Sequence, residues 1–271
     1  LGWNKTSGTT RPNDSSLSHG GGFIMNSEQK YLFDLNGYIV LENVVSPELI
    51  LAANEVLDRF ETMDPQMYPN PLVLGTEKTN QELYISNIME SDPAMLPIME
   101  IPQVLDVVET VTGGPYRLNH TYTIYRWGGG FTLTHGHGVP INPKCQYRCH
   151  NDQMMSTLTK AVFPLIDCDV EDGCFAVVPG THKANFPRPW GRHPNDDPGL
   201  LSIPAKAGDA IIFTEALTHG STINTSGHPR RTLYYCYSVG YMPDWGGQGL
   251  RFSDDLNDRL SDSQIELIEL K

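Results

Sequence analysis

The spacing of apolar residues changes once along the chain, near residue 115. Before that point apolar side chains recur at helical intervals; from Arg117 onward they alternate, which is the period of a strand. Ser27 is placed to open a helix through Phe33 and Leu35 that stops at Asn36-Gly37, and Ser46-Pro47 pairs an N-cap with a proline at the first helical position. This second helix carries Leu49, Ile50, Ala53, Val56, Leu57 and Phe60 on one side. Between the two helices, "YIVLENV" reads as a strand. Pro102 opens a third helix with Val104, Leu105, Val108 and Val111, ended by Gly113-Gly114.

In the second half, "RLNHTYTIYRW", "KAVFPLIDCD", "CFAVVP", "LLSIPA", "DAIIFTEALTH" and "RRTLYYCYSVGY" are strand-like runs separated by turn residues such as Glu171-Asp172-Gly173, Pro179-Gly180 and Gly208-Asp209. Short strands at this spacing predict a mainly β protein, a sandwich or jelly roll, with flanking helices. The expected organisation is one domain over residues 25–271. A helical part to about 115 would pack on a β-barrel at about 116–245, followed by a C-terminal tail over 246–271.

Composition narrows the picture. With 39% apolar residues among 271, and no run of roughly 18 of them, no membrane span is expected. A net charge of −13, with no basic cluster beyond Arg230-Arg231, speaks against nucleic acid. Five scattered cysteines without a C-x-x-C pair suit a reducing, cytoplasmic setting. Residues 1–24 are polar and Gly/Ser-rich without an apolar core, and are expected to be a leader or cloning remnant ahead of Met25.

The candidate chemistry lies in the strands. A period of two places Phe213, Glu215, Leu217 and His219 on one face, with Glu215 about 13 Å from His219 if the strand is continuous. That spacing gives Glu215 a supporting or substrate-binding role rather than shared ligation. Arg230 follows a polar, turn-rich loop and can point back into the same barrel mouth to hold a carboxylate bidentately, whereas Arg231 faces the other way and is expected to tolerate replacement. His120 and Tyr122 share one face of their strand; Asn119, Thr121, Thr123 and Tyr125 share the other, and either face can line a pocket. His182 reads as a corner residue bonded to backbone, and "LYYCY" as core.

Together, "FPLIDCDVEDGCFAVVPGTHKANF" and "AGDAIIFTEALTHGSTINTSGHPRR" resemble the phytanoyl-CoA dioxygenase family of Fe(II)/2-oxoglutarate oxygenases. The acidic strand end, the D-G-C turn, the P-G-T-H-K corner, the G-D strand and the H-G-S…N…R tail occur in the family's order, and the resemblance spans roughly Tyr31 to Met242. It implies a double-stranded β-helix, a cupin-like jelly roll. It also implies Fe(II) and 2-oxoglutarate as cofactors, O₂ and a small organic molecule as co-reactants, and hydroxylation with release of succinate and CO₂. By the same resemblance His219 is the distal iron ligand, Arg230 binds the distal carboxylate of 2-oxoglutarate, and Ser221 helps to hold it.

The family's H-x-D pair is less direct. The literal match, His150-Asn151-Asp152, looks like the tip of a hairpin in "QYRCHNDQMMS". His135 fits the family's spacing better, and "HGHGVPINP" resembles a bacterial branch without aspartate there. His137 then takes the carboxylate position, about 7 Å along the same strand face. Two alternatives stand: His137 completes a three-histidine site, or it turns away and leaves a vacancy. A vacant position would admit a halide and redirect the outcome to halogenation. A barrel without the carboxylate could instead be a non-catalytic relative. A three-histidine zinc or nickel cupin is the reading favoured if Arg230 faces solvent.

Overall fold

The computed structural model describes residues 25–136, 138–245 and 253–269, so the expected leader over 1–24 and His137 both lie outside it. The N-terminal helices form where capping dictates. Helix α1, Ser27–Asn36, is capped by Asn26 rather than Ser27. The Asn26 side chain accepts from Gln29 N–H while the Gln29 side chain returns the bond, and Gly37 closes the helix at φ 84°. Helix α2, Pro47–Thr62, starts at Ser46 as expected and buries Ala53, Val56, Leu57 and Phe60. Helix α3, Pro102–Thr112, ends at Gly113 in the left-handed conformation. Near the C-terminus come α4, Asp254–Asn257, and α5, Asp262–Ile268. Among the described residues no helix is long and apolar enough to cross a membrane.

The strands are β1 (Tyr38–Leu41), β2 (Val73–Leu74), β3 (Glu82–Ser86), β4 (Tyr116–Arg126), β5 (Tyr147–His150), β6 (Gln153–Ser156), β7 (Leu158–Pro164), β8 (Phe175–Val178), β9 (Leu201–Ile203), β10 (Ala210–Thr214), β11 (Thr218–Ser221) and β12 (Arg230–Val239). Seven pair in the order β1-β10-β7-β12-β4-β3-β2, three in the order β11-β8-β9, and β5-β6 is a hairpin. The large and small sheets are the two walls of a double-stranded β-helix. The expected helical N-terminal part is therefore only partly helical, because β1, β2 and β3 extend the large sheet on both sides. Strand β3 was not read from the sequence.

Each face of the large sheet has its own core. Outward, Leu83, Ile85, Ala161, Phe163, Leu233, Tyr235 and Tyr237 join the helices' apolar residues. The buried phenols are satisfied on helix or turn carbonyls: Tyr235 donates to Met95 O at 2.6 Å, Tyr237 to Met99 O at 2.8 Å and Tyr125 to Leu57 O at 2.8 Å. Inward, Tyr122, Ile124, Val162, Phe213, Tyr234 and Cys236 meet Phe175, Val177 and Ile203 of the small sheet. The "LYYCY" run thus divides between both cores, and Tyr234 lines the barrel cavity instead of lying wholly in the core as expected.

One expected strand is broken. "DAIIFTEALTH" is not continuous: Leu217 N–H donates to Thr214 O at 2.9 Å, closing a turn, after which the chain leaves β10 in the large sheet and becomes β11 in the small one.

Arg231 is also more constrained than its outward position suggested. Its guanidinium bonds Asp58 at 2.6 Å and also Glu61, both on α2, and lies over the Tyr125 ring. Replacing Arg231 by methionine is expected to lower unfolding stability by about 1–2 kcal/mol, since one partner is largely solvated and the other only half buried. Denaturant unfolding of the variant checks this; an unchanged midpoint would show that the α2–sheet contact does not depend on the pair.

Candidate active site

The two sheets enclose a cavity of about 690 Å³ whose wall includes His135, His219, Glu215, Lys160, Arg126, Tyr122 and Tyr234. His219 stands on β11, and the segment carrying His135 runs antiparallel to it. His135 N–H donates to His219 O and His219 N–H to His135 O, each at 2.8 Å, as in a hydrogen-bonded pair of ladder residues. The two rings consequently lie side by side, centroids 4.2 Å apart. Gly220 allows this approach, because a Cβ there would stand 2.8 Å from Thr132 O.

Each ring is oriented by its own backbone. His135 Nδ1 is 2.8 Å from Leu133 O, and His219 Nδ1 is 2.8 Å from Leu217 O. A carbonyl only accepts, so Nδ1 carries a proton in both rings. That is how metal-binding histidines are held: the outer hydrogen bond fixes tautomer and direction.

Glu215 joins this pair. The Thr214–Leu217 turn folds the chain back, so Glu215 Oε2 stands 3.9 Å from His219 Nε2, in place of the separation expected from a continuous strand. The continuous strand face expected for the two residues is replaced by a corner between the sheets, across which their side chains meet. Glu215 is 1% exposed and accepts from Lys160 Nζ at 2.8 Å, while Lys160 also reaches Tyr122 Oη at 3.3 Å. Burial by itself would lower the pKa of the Lys160 ammonium, but the Glu215 carboxylate outweighs it and holds the pKa above its ordinary value. Lys160 was not singled out in the sequence, since a lysine in "TKAVFP" reads as a solvated strand position.

Arg230 and Ser221 are both buried, and neither is among the residues lining the cavity. Arg230 is 2% exposed and donates to Gly173 O. Ser221, beside Phe175 in the small sheet, accepts from Thr132 N–H at 2.8 Å and donates to Thr222 O at 3.1 Å. Directly across the strand pair from Arg230 is Arg126, another residue that the sequence did not mark. Arg126 bonds Glu82 and donates to Thr132 Oγ1 at 3.0 Å. Burial first, and then the neighbouring Arg230 charge, push the Arg126 pKa down to about 10. The buried Nε atoms of Arg126 and Arg230 both lack a hydrogen-bond partner, which is the donor arrangement a carboxylate would satisfy.

The face left open on β4 is decided for His120 and Tyr122, which line the cavity with Ile124 and Arg126. Tyr122 stacks on Tyr234 with centroids 4.3 Å apart and on His120 at 5.9 Å. Burial, then the Lys160 charge, lower the His120 pKa to about 3, so this ring stays neutral at physiological pH. The remaining candidates are elsewhere. His150 and Asp152 belong to the exposed β5–β6 hairpin, with Asn151 and Asp152 at positive φ, the turn expected for them. His182 Nε2 bonds Asp34 O at 3.0 Å, a corner contact as expected. Two oriented imidazoles and a buried carboxylate are a donor set that suits Fe(II).

The family model for phytanoyl-CoA dioxygenase matches residues 33–232. A Caenorhabditis elegans protein described as a probable phytanoyl-CoA dioxygenase is 25% identical over 252 residues, which cover 80% of this chain and 76% of that one. The ectoine dioxygenase of Nocardia farcinica is 20% identical over 248 residues, covering 79% and 78%. HygX from Streptomyces hygroscopicus, crystallised with nickel and 2-oxoglutarate, shares the fold with a TM-score of 0.71 at 23% identity, over 85% of this chain and 96% of that chain.

The arrangement of histidines makes a direct prediction. His135→Ala and His219→Ala are each expected to weaken divalent-metal affinity at least about tenfold, and His150→Ala and Asp152→Ala to leave it unchanged. Metal titration of the four variants checks this, and a loss confined to the hairpin pair would move the site.

Proposed function

This chain belongs to the phytanoyl-CoA dioxygenase family, and from that premise we propose that it hydroxylates a small organic substrate while converting 2-oxoglutarate to succinate and CO₂. It is an Fe(II)/2-oxoglutarate-dependent oxygenase. The observation that carries the reading is the His135–His219 pair, the two rings side by side at the cavity wall and each oriented by an Nδ1 bond to a backbone carbonyl. In this reading those two rings hold the iron, with His137 as the third candidate from the sequence. When bound, the iron supplies the O₂ chemistry that turns a substrate C–H into C–OH, one oxygen atom going to the substrate and the other to succinate.

The protein's own residues position the reactants. Arg230 takes the distal carboxylate of 2-oxoglutarate, with Ser221 helping to hold it and Arg126 supplying a second buried cation. The burial of Arg230 speaks against the three-histidine cupin, which was to be favoured by an arginine facing solvent. The aromatic wall of Tyr84, Tyr122 and Tyr234 excludes water and presents flat apolar surface, while Arg192 and Asp244 at the cavity offer charge to a polar substrate. Similar folds handle such molecules: HygX has been crystallised with hygromycin B as well as with 2-oxoglutarate and nickel.

Incubation of the iron-loaded chain with 2-oxoglutarate and O₂ is expected to release succinate, and Arg230→Ala to raise the 2-oxoglutarate requirement by about 2–5 kcal/mol equivalent while metal affinity holds. Arg231→Ala is expected to leave that requirement in place. No succinate from the wild type, or equal losses at both arginines, would overturn the assignment.

A further inference from the structure

The position two residues beyond His135, where the carboxylate of an H-x-D pair would stand, is a histidine. Between Phe131 and Gln153 the sole acidic residue is Asp152, at the exposed hairpin tip. Among the described residues, one group of three or more His, Cys, Asp or Glu side chains brings ligand atoms within 4.8 Å of one another, and it is His135, Glu215 and His219. Resting on the iron-oxygenase reading above, we propose that Glu215 is the carboxylate ligand of the metal, delivered by the corner after β10 instead of by the His135 segment.

Geometry favours this. Ligand atoms about 2.0–2.2 Å from a first-row ion lie roughly 3–4 Å from one another. Glu215 Oε2 and His219 Nε2 already stand 3.9 Å apart. A carboxylate has two oxygens with about four lone-pair directions. Lys160 occupies one of them, on Oε2, so the ion pair and a metal bond are compatible. Charge points the same way, since Lys160 and Glu215 cancel beside the histidines. With a neutral residue at 215 the ion would face an uncompensated ammonium in a low-dielectric barrel. Ligation by Glu215 fills the position that a halide would need, which favours hydroxylation.

Glu215 has a rival role as the counter-ion of Lys160 alone, and the experiment separates the two. Co(II), whose visible absorption reports its ligands, is titrated into the metal-free full chain carrying Glu215→Gln, Lys160→Met, both changes together, or His137→Gly. If Glu215 is a ligand, Glu215→Gln and the double variant both bind at least about tenfold more weakly with an altered spectrum, while Lys160→Met and His137→Gly stay near wild type. Full affinity in Glu215→Gln overturns the proposal, as does recovery of affinity in the double variant, the signature of a mere counter-ion. A loss in His137→Gly with Glu215→Gln unaffected hands the position to His137. Where Glu215→Gln fails to fold, the double variant, which strands no charge, carries the test. If His135→Ala and His219→Ala also keep full Co(II) affinity, it is the iron-oxygenase reading that fails, independently of Glu215.

Discussion

A sheet-to-sheet corner governs this site. At Thr214–Leu217 the chain must leave the large sheet and enter the small one, and the turn that accomplishes this converts an i, i+4 pair on an extended strand into near neighbours. The small sheet then accepts the His135 segment through the reciprocal 2.8 Å backbone bonds with His219. Backbone bonding thus positions both imidazoles before any side-chain interaction is considered, and the carbonyls of Leu133 and Leu217 orient the rings. Sites held by regular backbone are more precise than sites held by loops, and here β11 lends its regularity to the His135 segment through that paired bonding.

Charge burial is the second constraint. Lys160, Glu215, Arg126 and Arg230 all lie inside, each below a tenth exposed. Apolar replacements would pack such positions at little or no loss of stability, so buried charges are weak evidence for stability and stronger evidence for a site. Their distribution is uneven in a useful way. Lys160 and Glu215 neutralise one another beside the histidines, whereas Arg126 and Arg230 form a like-charge pair with one bonded acid, Glu82, on the side of Arg126 away from Arg230. The excess positive charge lies where an anionic cosubstrate is proposed to sit. The aromatic stack of Tyr122, Tyr234 and His120 lines the same cavity as Lys160, Glu215 and Arg126.

The outer face of the same strands does different work. Tyr125, Tyr235 and Tyr237 bury their rings against the helices and tie their hydroxyls to helix or turn carbonyls, and Arg231 pins α2 to the sheet. Alternation along β12 therefore assigns neighbouring residues to opposite tasks, Tyr234 to the cavity and Arg231 and Tyr235 to the helical layer.

Local rules carried much of this into the sequence. Capping residues marked α2 and α3 closely and α1 within one residue, and turn chemistry identified the His150–Asp152 hairpin. A period of two told which residues share a face, as with Tyr234 and Cys236 against Tyr235 and Tyr237, because side-chain direction on a strand is a nearest-neighbour property. Proximity is not. Glu215 and His219 were given the wrong separation because nothing local in "FTEALTH" marks the exchange of sheets, which depends on β10 pairing with β7 and β11 with β8. Arg126 and Lys160 stayed hidden for the related reason that a charged residue in a strand is exposed or buried according to what the other wall of the barrel places over it. Whether His120 or Thr123 faced the cavity was likewise decided by the pairing of β4 with β12 and β3, since strand register is a long-range agreement between segments that are far apart in the chain.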